Sequence, residues 1–175
     1  MRTVTYGAAC SLDGFIVGPG GSLDWLLFSK DVQAYMKDFW ARLDTLVMGR
    51  KTWEAAAAQS GGKGGGMKGV KSYVFSRTLT SIPGKGVELV REDAGDFVRR
   101  LKAEAGKEIC VFGGGDFARS LFAAGVIDEV GLNIHPVLLG SGVPLFQDAG
   151  RRIDLELKEN RGMEGGCILA LYRVR

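Results

Sequence analysis

Short apolar runs alternate, up to about residue 130, with segments whose apolar positions recur every three or four residues. The runs Thr3–Cys10, Phe15–Val17, Asp44–Met48, Ser72–Phe75, Val87–Val90, Ile109–Phe112 and Val126–Ile134 predict strands. Between them, Val32, Tyr35, Met36, Phe39, Trp40 and Leu43 mark one amphipathic helix over Lys30–Leu43, and Phe97, Val98 and Leu101 another over Asp96–Ala105. Shorter helices are predicted for Trp53–Ala58 and from Asp116 onward, where Phe117, Ala118, Leu121 and Phe122 share a face. Past residue 130 only strands remain. Ile153–Leu157 and Cys167–Val174 read as an antiparallel pair turning at Asn160-Arg161-Gly162. Helix–strand alternation followed by strands alone predicts an α/β fold, a mostly parallel central sheet with an antiparallel C-terminal edge and flanking helices. In such sheets ligands bind outside the carboxyl ends of the strands.

Composition narrows the class. A chain of 175 residues fits a single domain covering residues 1–175, large enough for a substantial core. A net charge of +3, with Arg99, Arg100 and Lys102 on one solvated helix face, gives no basic track for nucleic acid. Cys10, Cys110 and Cys167 each lie inside an apolar segment with no C-x-x-C pair, which points to buried thiols and a reducing compartment. No apolar run is long enough for a membrane span and no leader pattern opens the chain, so a cytoplasmic protein with no membrane partner is expected. No metal-ligand spacing is present.

Three strand ends carry candidate chemistry. After Ile109–Phe112 come Gly113, Gly114 and Gly115, then a helix opening at Asp116; such a turn lets a ligand approach the backbone and offers it free N–H groups at a positive helix end. Gly113-x-Gly115-x-x-Ala118 matches the Rossmann fingerprint by letter, but the next strand ends Asn133-Ile134-His135 without the acidic residue that fingerprint needs. Gly49-Arg50-Lys51-Thr52 follows a second strand and joins two cations and a hydroxyl to a helix start, a sharper phosphate signal. Ser76-Arg77-Thr78 follows a third. Gly61 to Gly69 lacks the Gly-Lys-Ser/Thr ending of a phosphate loop and reads as a surface loop.

Taken together, these loops resemble those of dihydrofolate reductases. Met48-Gly49-Arg50-Lys51-Thr52-Trp53-Glu54 is similar to their signature, Ser76-Arg77-Thr78 to their adenosine-phosphate loop, and Phe112-Gly113-Gly114-Gly115 to their glycine turn. Ser11-Leu12-Asp13-Gly14-Phe15-Ile16, Asp24-Trp25-Leu26 and the stretch from Val137 to Phe146 resemble more closely the reductase domain of the riboflavin-pathway deaminase-reductases and their stand-alone bacterial relatives. The resemblance implies a dihydrofolate-reductase-like three-layer fold and an NADPH-dependent reductase of a small heterocycle. Its substrate would be of the 5-amino-6-(5-phosphoribosylamino)uracil type, with dihydrofolate reduction or a non-catalytic NADPH-binding module as alternatives. It further implies that Gly49, Arg50, Lys51 and Thr52 bind cofactor phosphates and that Ser76, Arg77 and Thr78 bind the adenosine ribose phosphate. Gly113, Gly114, Gly115 and Asp116 would take the pyrophosphate and nicotinamide side, with the Gly113–Gly114 peptide cis. Homodimerisation is implied as well, and the apolar stretch from Val137 to Phe146 is the expected interface.

The proton donor is the open position. Dihydrofolate reductases hold the pterin with a carboxylate early in the first long helix, where this chain reads Phe28-Ser29-Lys30-Asp31 and matches at no position cleanly. Asp31 is the candidate catalytic acid, Asp13 its rival, and water or a substrate phosphate the remaining sources. The sole histidine, His135, is expected to be structural, and Met36, Phe39 and Trp40 to be core.

Overall fold

A computed structural model describes residues 1–59 and 66–175. Its strands are β1 (Val4–Ser11), β2 (Phe15–Val17), β3 (Leu43–Gly49), β4 (Lys71–Phe75), β5 (Val87–Val90), β6 (Glu108–Phe112), β7 (Glu129–His135), β8 (Val143–Pro144), β9 (Leu155–Gly162) and β10 (Ile168–Val174). Its helices are α1 (Lys30–Arg42), α2 (Arg50–Gln59), α3 (Ala94–Ala103) and α4 (Gly115–Ala123). Eight strands form one sheet in the order β5-β4-β3-β6-β1-β7-β10-β9, and β2 pairs with β8 beside it. The pairings from β5 to β7 are all parallel, and β10 runs antiparallel to both of its neighbours. This is the mostly parallel sheet with an antiparallel edge that the apolar pattern predicts.

Alternation along the central strands sends side chains to two different layers. Val4 and Tyr6 of β1, Ile109 and Val111 of β6, and Val130 of β7 pack with Val98 and Leu101 of α3 and Leu121 and Phe122 of α4. On the opposite face Leu46, Met48, Val74 and Cys110 pack with Phe39 and Trp40 of α1 and Trp53 of α2. Gly7, Ala9 and Gly131 also face that side, and residues this small leave open space between the sheet and α1, although Phe39 reaches down to Gly7.

Several local expectations are corrected. α2 begins at Arg50, directly after β3, so that Gly49 to Thr52 form a strand end and a first helical turn with no separate loop. The C-terminal hairpin turns at Met163–Cys167, where Met163 and Cys167 close a backbone hydrogen bond of 2.8 Å. Asn160, Arg161 and Gly162 lie within β9, paired with Ala170, Leu169 and Ile168. The surface-loop reading of Gly61 to Gly69 falls largely outside the described residues. Among those described, no helix is long and apolar enough to cross a membrane.

Candidate functional site

Parallel pairing brings the carboxyl ends of β3, β4 and β6 to one edge, and a cavity of about 830 Å³ opens there between α1 and the sheet. Gly49, Arg50, Lys51 and Thr52 line it together with Gly113, Gly114, Gly115 and Asp116, so two of the three expected loops form one wall. Thr52 ties them to each other: the Gly114 N–H donates to Thr52 Oγ1 at 3.1 Å. The N–H groups of Gly115 and Asp116, in the first turn of α4, have no acceptor within the helix and remain for a ligand. Ser76, Arg77 and Thr78 lie at the end of β4, beside β3 but outside the cavity lining. There Ser76 Oγ accepts from the Thr78 and Leu79 N–H groups at 3.2 and 3.1 Å, which shapes the turn and leaves Arg77 exposed.

The three glycines of the β6–α4 turn are glycine for different reasons. Gly113 adopts φ +92°, and a Cβ there would meet three atoms of Thr52 at 2.2 to 2.7 Å. A Cβ on Gly115 would meet the Leu145 carbonyl oxygen at 2.8 Å. Gly114 has φ −47° and ψ 139°, open to any residue, and its nearest neighbour would be Thr52 Oγ1 at 3.7 Å. Neither conformation nor packing asks for glycine at Gly114, which caps the start of α4. The Gly113–Gly114 peptide is trans, against the expectation of a cis bond. The left-handed backbone at Gly113 makes the reversal instead.

Arg50 is held by Glu54 one helical turn on, at 2.9 Å, in a half-exposed pair that an anionic ligand could displace at small cost. Asp116 sits at the positive end of α4, where its carboxylate is favoured by the helix but would repel a phosphate. A ribose hydroxyl suits it better.

The expectation that Asp31 reaches the cleft is not met. Asp31 accepts from the Ser29 hydroxyl and the Val32 N–H through Oδ1, and from the Glu164 N–H at 2.7 Å through Oδ2. It is absent from the cavity lining, and the Ser29 hydroxyl together with the Glu164 N–H holds its carboxyl below the usual range. Asp13 is likewise committed, to Ser11 Oγ and to the Leu139 and Gly140 N–H groups, which lower its pKa. Both carboxylates organise turns.

The opposite wall is apolar. Leu23, Leu26, Leu27 and Phe28 close it from the loop before α1, and Val32, Tyr35, Met36, Phe39 and Trp40 project from α1 itself. Met36, Phe39 and Trp40 therefore face the cavity as well as the core. His135 is buried at the end of β7, its Nδ1 accepting from the Leu27 N–H at 3.2 Å and its Nε2 3.1 Å from the Asn133 amide. Burial lowers its pKa. Asn133 also lines the cavity, and sequence reasoning passed over it. The signal was present: a polar side chain alternating with Val130, Leu132 and Ile134, on the face of Gly131. Among the described residues no cluster of His, Cys, Asp and Glu could hold a metal ion.

Comparison with known proteins bears on the fold. Over 98% of its length the chain is 32% identical to the uncharacterized protein YyaP of Bacillus subtilis (strain 168), covering 95% of that protein. A putative riboflavin biosynthesis protein from Shewanella sp. PV-4 superposes with a TM-score of 0.84 at 26% identity, covering 100% of this chain and 99% of that one. The diaminohydroxyphosphoribosylaminopyrimidine deaminase/5-amino-6-(5-phosphoribosylamino)uracil reductase of Thermotoga maritima shares the fold with a TM-score of 0.73 at 14% identity, this chain covering 57% of its length. The RibD C-terminal domain family matches residues 2–169, nearly the whole of the fold described above, and this chain belongs to it.

Proposed function

We propose that the protein is an NADPH-dependent reductase of the riboflavin-pathway type, acting on a small heterocyclic substrate of the pyrimidine or pterin class. Gly114 carries this reading. It stands between two glycines that packing explains, at the N-cap of α4, where close approach of a ligand would account for the missing side chain. The ligand it faces would meet the N–H groups of Gly115 and Asp116 and the cations Arg50 and Lys51, a donor set suited to a pyrophosphate. Ser76, Arg77 and Thr78, on the neighbouring strand end, would take the ribose phosphate that distinguishes NADPH from NADH. NADPH, when bound, supplies a hydride.

The chain's own contribution is positioning. The apolar wall from α1 excludes water from the acceptor carbon, while the two latched turns hold the cofactor from the other side. With Asp31 and Asp13 turned away, solvent water entering with the substrate supplies the proton. Steady-state oxidation of NADPH, followed by loss of the reduced nicotinamide's near-ultraviolet absorbance, tests the reading. The panel should include 5-amino-6-(5-phosphoribosylamino)uracil, dihydrofolate and unphosphorylated pyrimidines. Turnover with one member and none without it is expected. Tight NADPH binding with no turnover on any member would favour a binding module.

A further inference from the structure

The strap of chain between β2 and α1 closes one side of the cavity and is held to the sheet at one point. Leu23, Leu26, Leu27 and Phe28 line the cavity from it, and Leu27 and Phe28 are exposed to solvent as well. Most of its hydrogen bonds are local. The Leu26 N–H donates to the Leu23 carbonyl at 3.2 Å, the Trp25 indole to the Ser22 carbonyl at 3.3 Å, and the Gln33 amide of α1 to the Phe28 carbonyl at 2.8 Å. Among the described residues, a single hydrogen bond ties the stretch from Leu23 to Phe28 to the sheet. It runs from the Leu27 N–H to Nδ1 of His135, at 3.2 Å. The Trp25 ring packs edge-on against the same imidazole, with ring centroids 5.2 Å apart.

His135 is a fixed point, buried at the end of β7 and paired with Ser11 of β1. A ring nitrogen accepts an N–H only while it carries no proton, so the Leu27 bond exists for the neutral imidazole alone. In the imidazolium both nitrogens bear protons, and Nδ1 would face the Leu27 N–H as one donor faces another. No charged group among the described residues is aimed at the ring to offset this. Its polar contacts are the Asn133 amide at Nε2 and the Cys167 thiol, 3.4 Å from Nδ1 and kept neutral by burial. The carboxylates on the elements around it are engaged elsewhere: Asp31 of α1 with the Glu164 N–H, Asp13 after β1 with the Leu139 and Gly140 N–H groups, and Asp24 of the strap with Ser22. Glu164, in the β9–β10 turn, is exposed. Burial lowers the pKa of His135, so the ring takes up its proton below the ordinary value of about 6.5.

We propose that His135 is the latch of a pH-sensitive strap: neutral, it holds Leu23 to Phe28 against the substrate wall, and protonated it releases them. The consequence for catalysis rests on the reductase reading above; the latch does not. A released strap admits water to the apolar wall, so the substrate KM rises at acid pH, while NADPH affinity, set by the opposite wall, stays constant.

Amide exchange of the full chain, followed by nuclear magnetic resonance from about pH 7.5 to about pH 5, tests the latch without any turnover. Corrected for the intrinsic rate, the Leu27 amide should lose protection by about tenfold or more, at the midpoint where the His135 ring shifts titrate, while strand amides such as Val111 stay protected. His135→Asn places an oxygen where Nδ1 stands and cannot be protonated, so its Leu27 amide should stay protected throughout. Equal protection of Leu27 across the range, a ring that does not titrate in the folded protein, or strap and strand amides opening together would overturn the proposal. A folded His135→Asn protein that opens at the parent's midpoint would do the same. If that variant does not fold, the parent decides: coincident midpoints for Leu27 and His135 support the latch, and midpoints about one pH unit or more apart overturn it. Once a substrate is found, its KM should rise about threefold or more over the same range in the parent and stay flat in His135→Asn. Absence of turnover on every substrate would remove the reductase reading and leave the exchange result standing.

Discussion

Substituting neighbouring glycines of the β6–α4 turn should separate stability from cofactor binding. In Gly113→Ala the new Cβ lands 2.2 to 2.7 Å from Thr52 atoms at φ +92°. The left-handed backbone costs about 1–2 kcal/mol, overpacking about 1–3 more, and the displaced Thr52 gives up its bond from Gly114, about 0.5–1.5. The total of about 3–6 kcal/mol should lower Tm by roughly 6 °C or more in a chain of this size. In Gly114→Val the backbone is unstrained and the Cβ has its nearest neighbour at 3.7 Å, so Tm should stay within about 2 °C of the parent. The isopropyl group would hold a pyrophosphate away from the Gly115 and Asp116 N–H groups. Losing two charge-assisted hydrogen bonds, about 1.5–3 kcal/mol each, raises the NADPH Kd by roughly a hundredfold or more. Thermal melts and NADPH titration of both variants read the two effects independently. A Gly114→Val protein that binds NADPH as the parent does would refute the reasoning, because the missing side chain would then serve no ligand.

Further expectations follow from the same geometry. NADPH should bind at least about tenfold more tightly than NADH, since Arg77, exposed beside Ser76 and Thr78, would pair the ribose phosphate that NADH lacks; equal dissociation constants would count against that assignment. Asp31→Asn should leave turnover unchanged and lower Tm, because Asp31 ties α1 to the Glu164 turn; lost turnover with an intact fold would restore it as the acid. Stability should be fully present above about pH 6.5 and decline below it, as the unfolded chain protonates His135 before the folded one does, and His135→Gln should flatten that decline. Light scattering should give twice the monomer mass of 18.8 kDa, because Leu138, Val143 and Phe146 lie exposed on one apolar stretch; the monomer mass at micromolar concentration would remove the dimer.

The parts of this molecule legible in the sequence are those that local pattern determines. Apolar runs such as Ile109–Phe112 mark buried strands, and the residues just past them must lie at one sheet edge once the strands are parallel; Thr52 and Gly114 meet for that reason. The direction of Asp31 is decided by the Glu164 N–H, far along the chain, which no helical spacing foretells. The hairpin turn was misplaced because Asn160 to Gly162 carry turn-forming residue types, while pairing with Ile168 to Ala170 keeps them extended. The cavity itself arises from Gly7 and Ala9 of β1 and Gly131 of β7, beneath a helix whose Met36 and Trp40 look like ordinary core in isolation. Asn133 acquires meaning only beside His135 and the Leu27 N–H.

A crystal structure of the protein with NADPH bears most directly on the central claim. The pyrophosphate should lie within hydrogen-bond reach of the Gly115 and Asp116 N–H groups, the ribose phosphate against Ser76 and Arg77, and the nicotinamide should face the α1 wall beside Asn133. A cofactor bound elsewhere, or density absent at saturating NADPH, would contradict it.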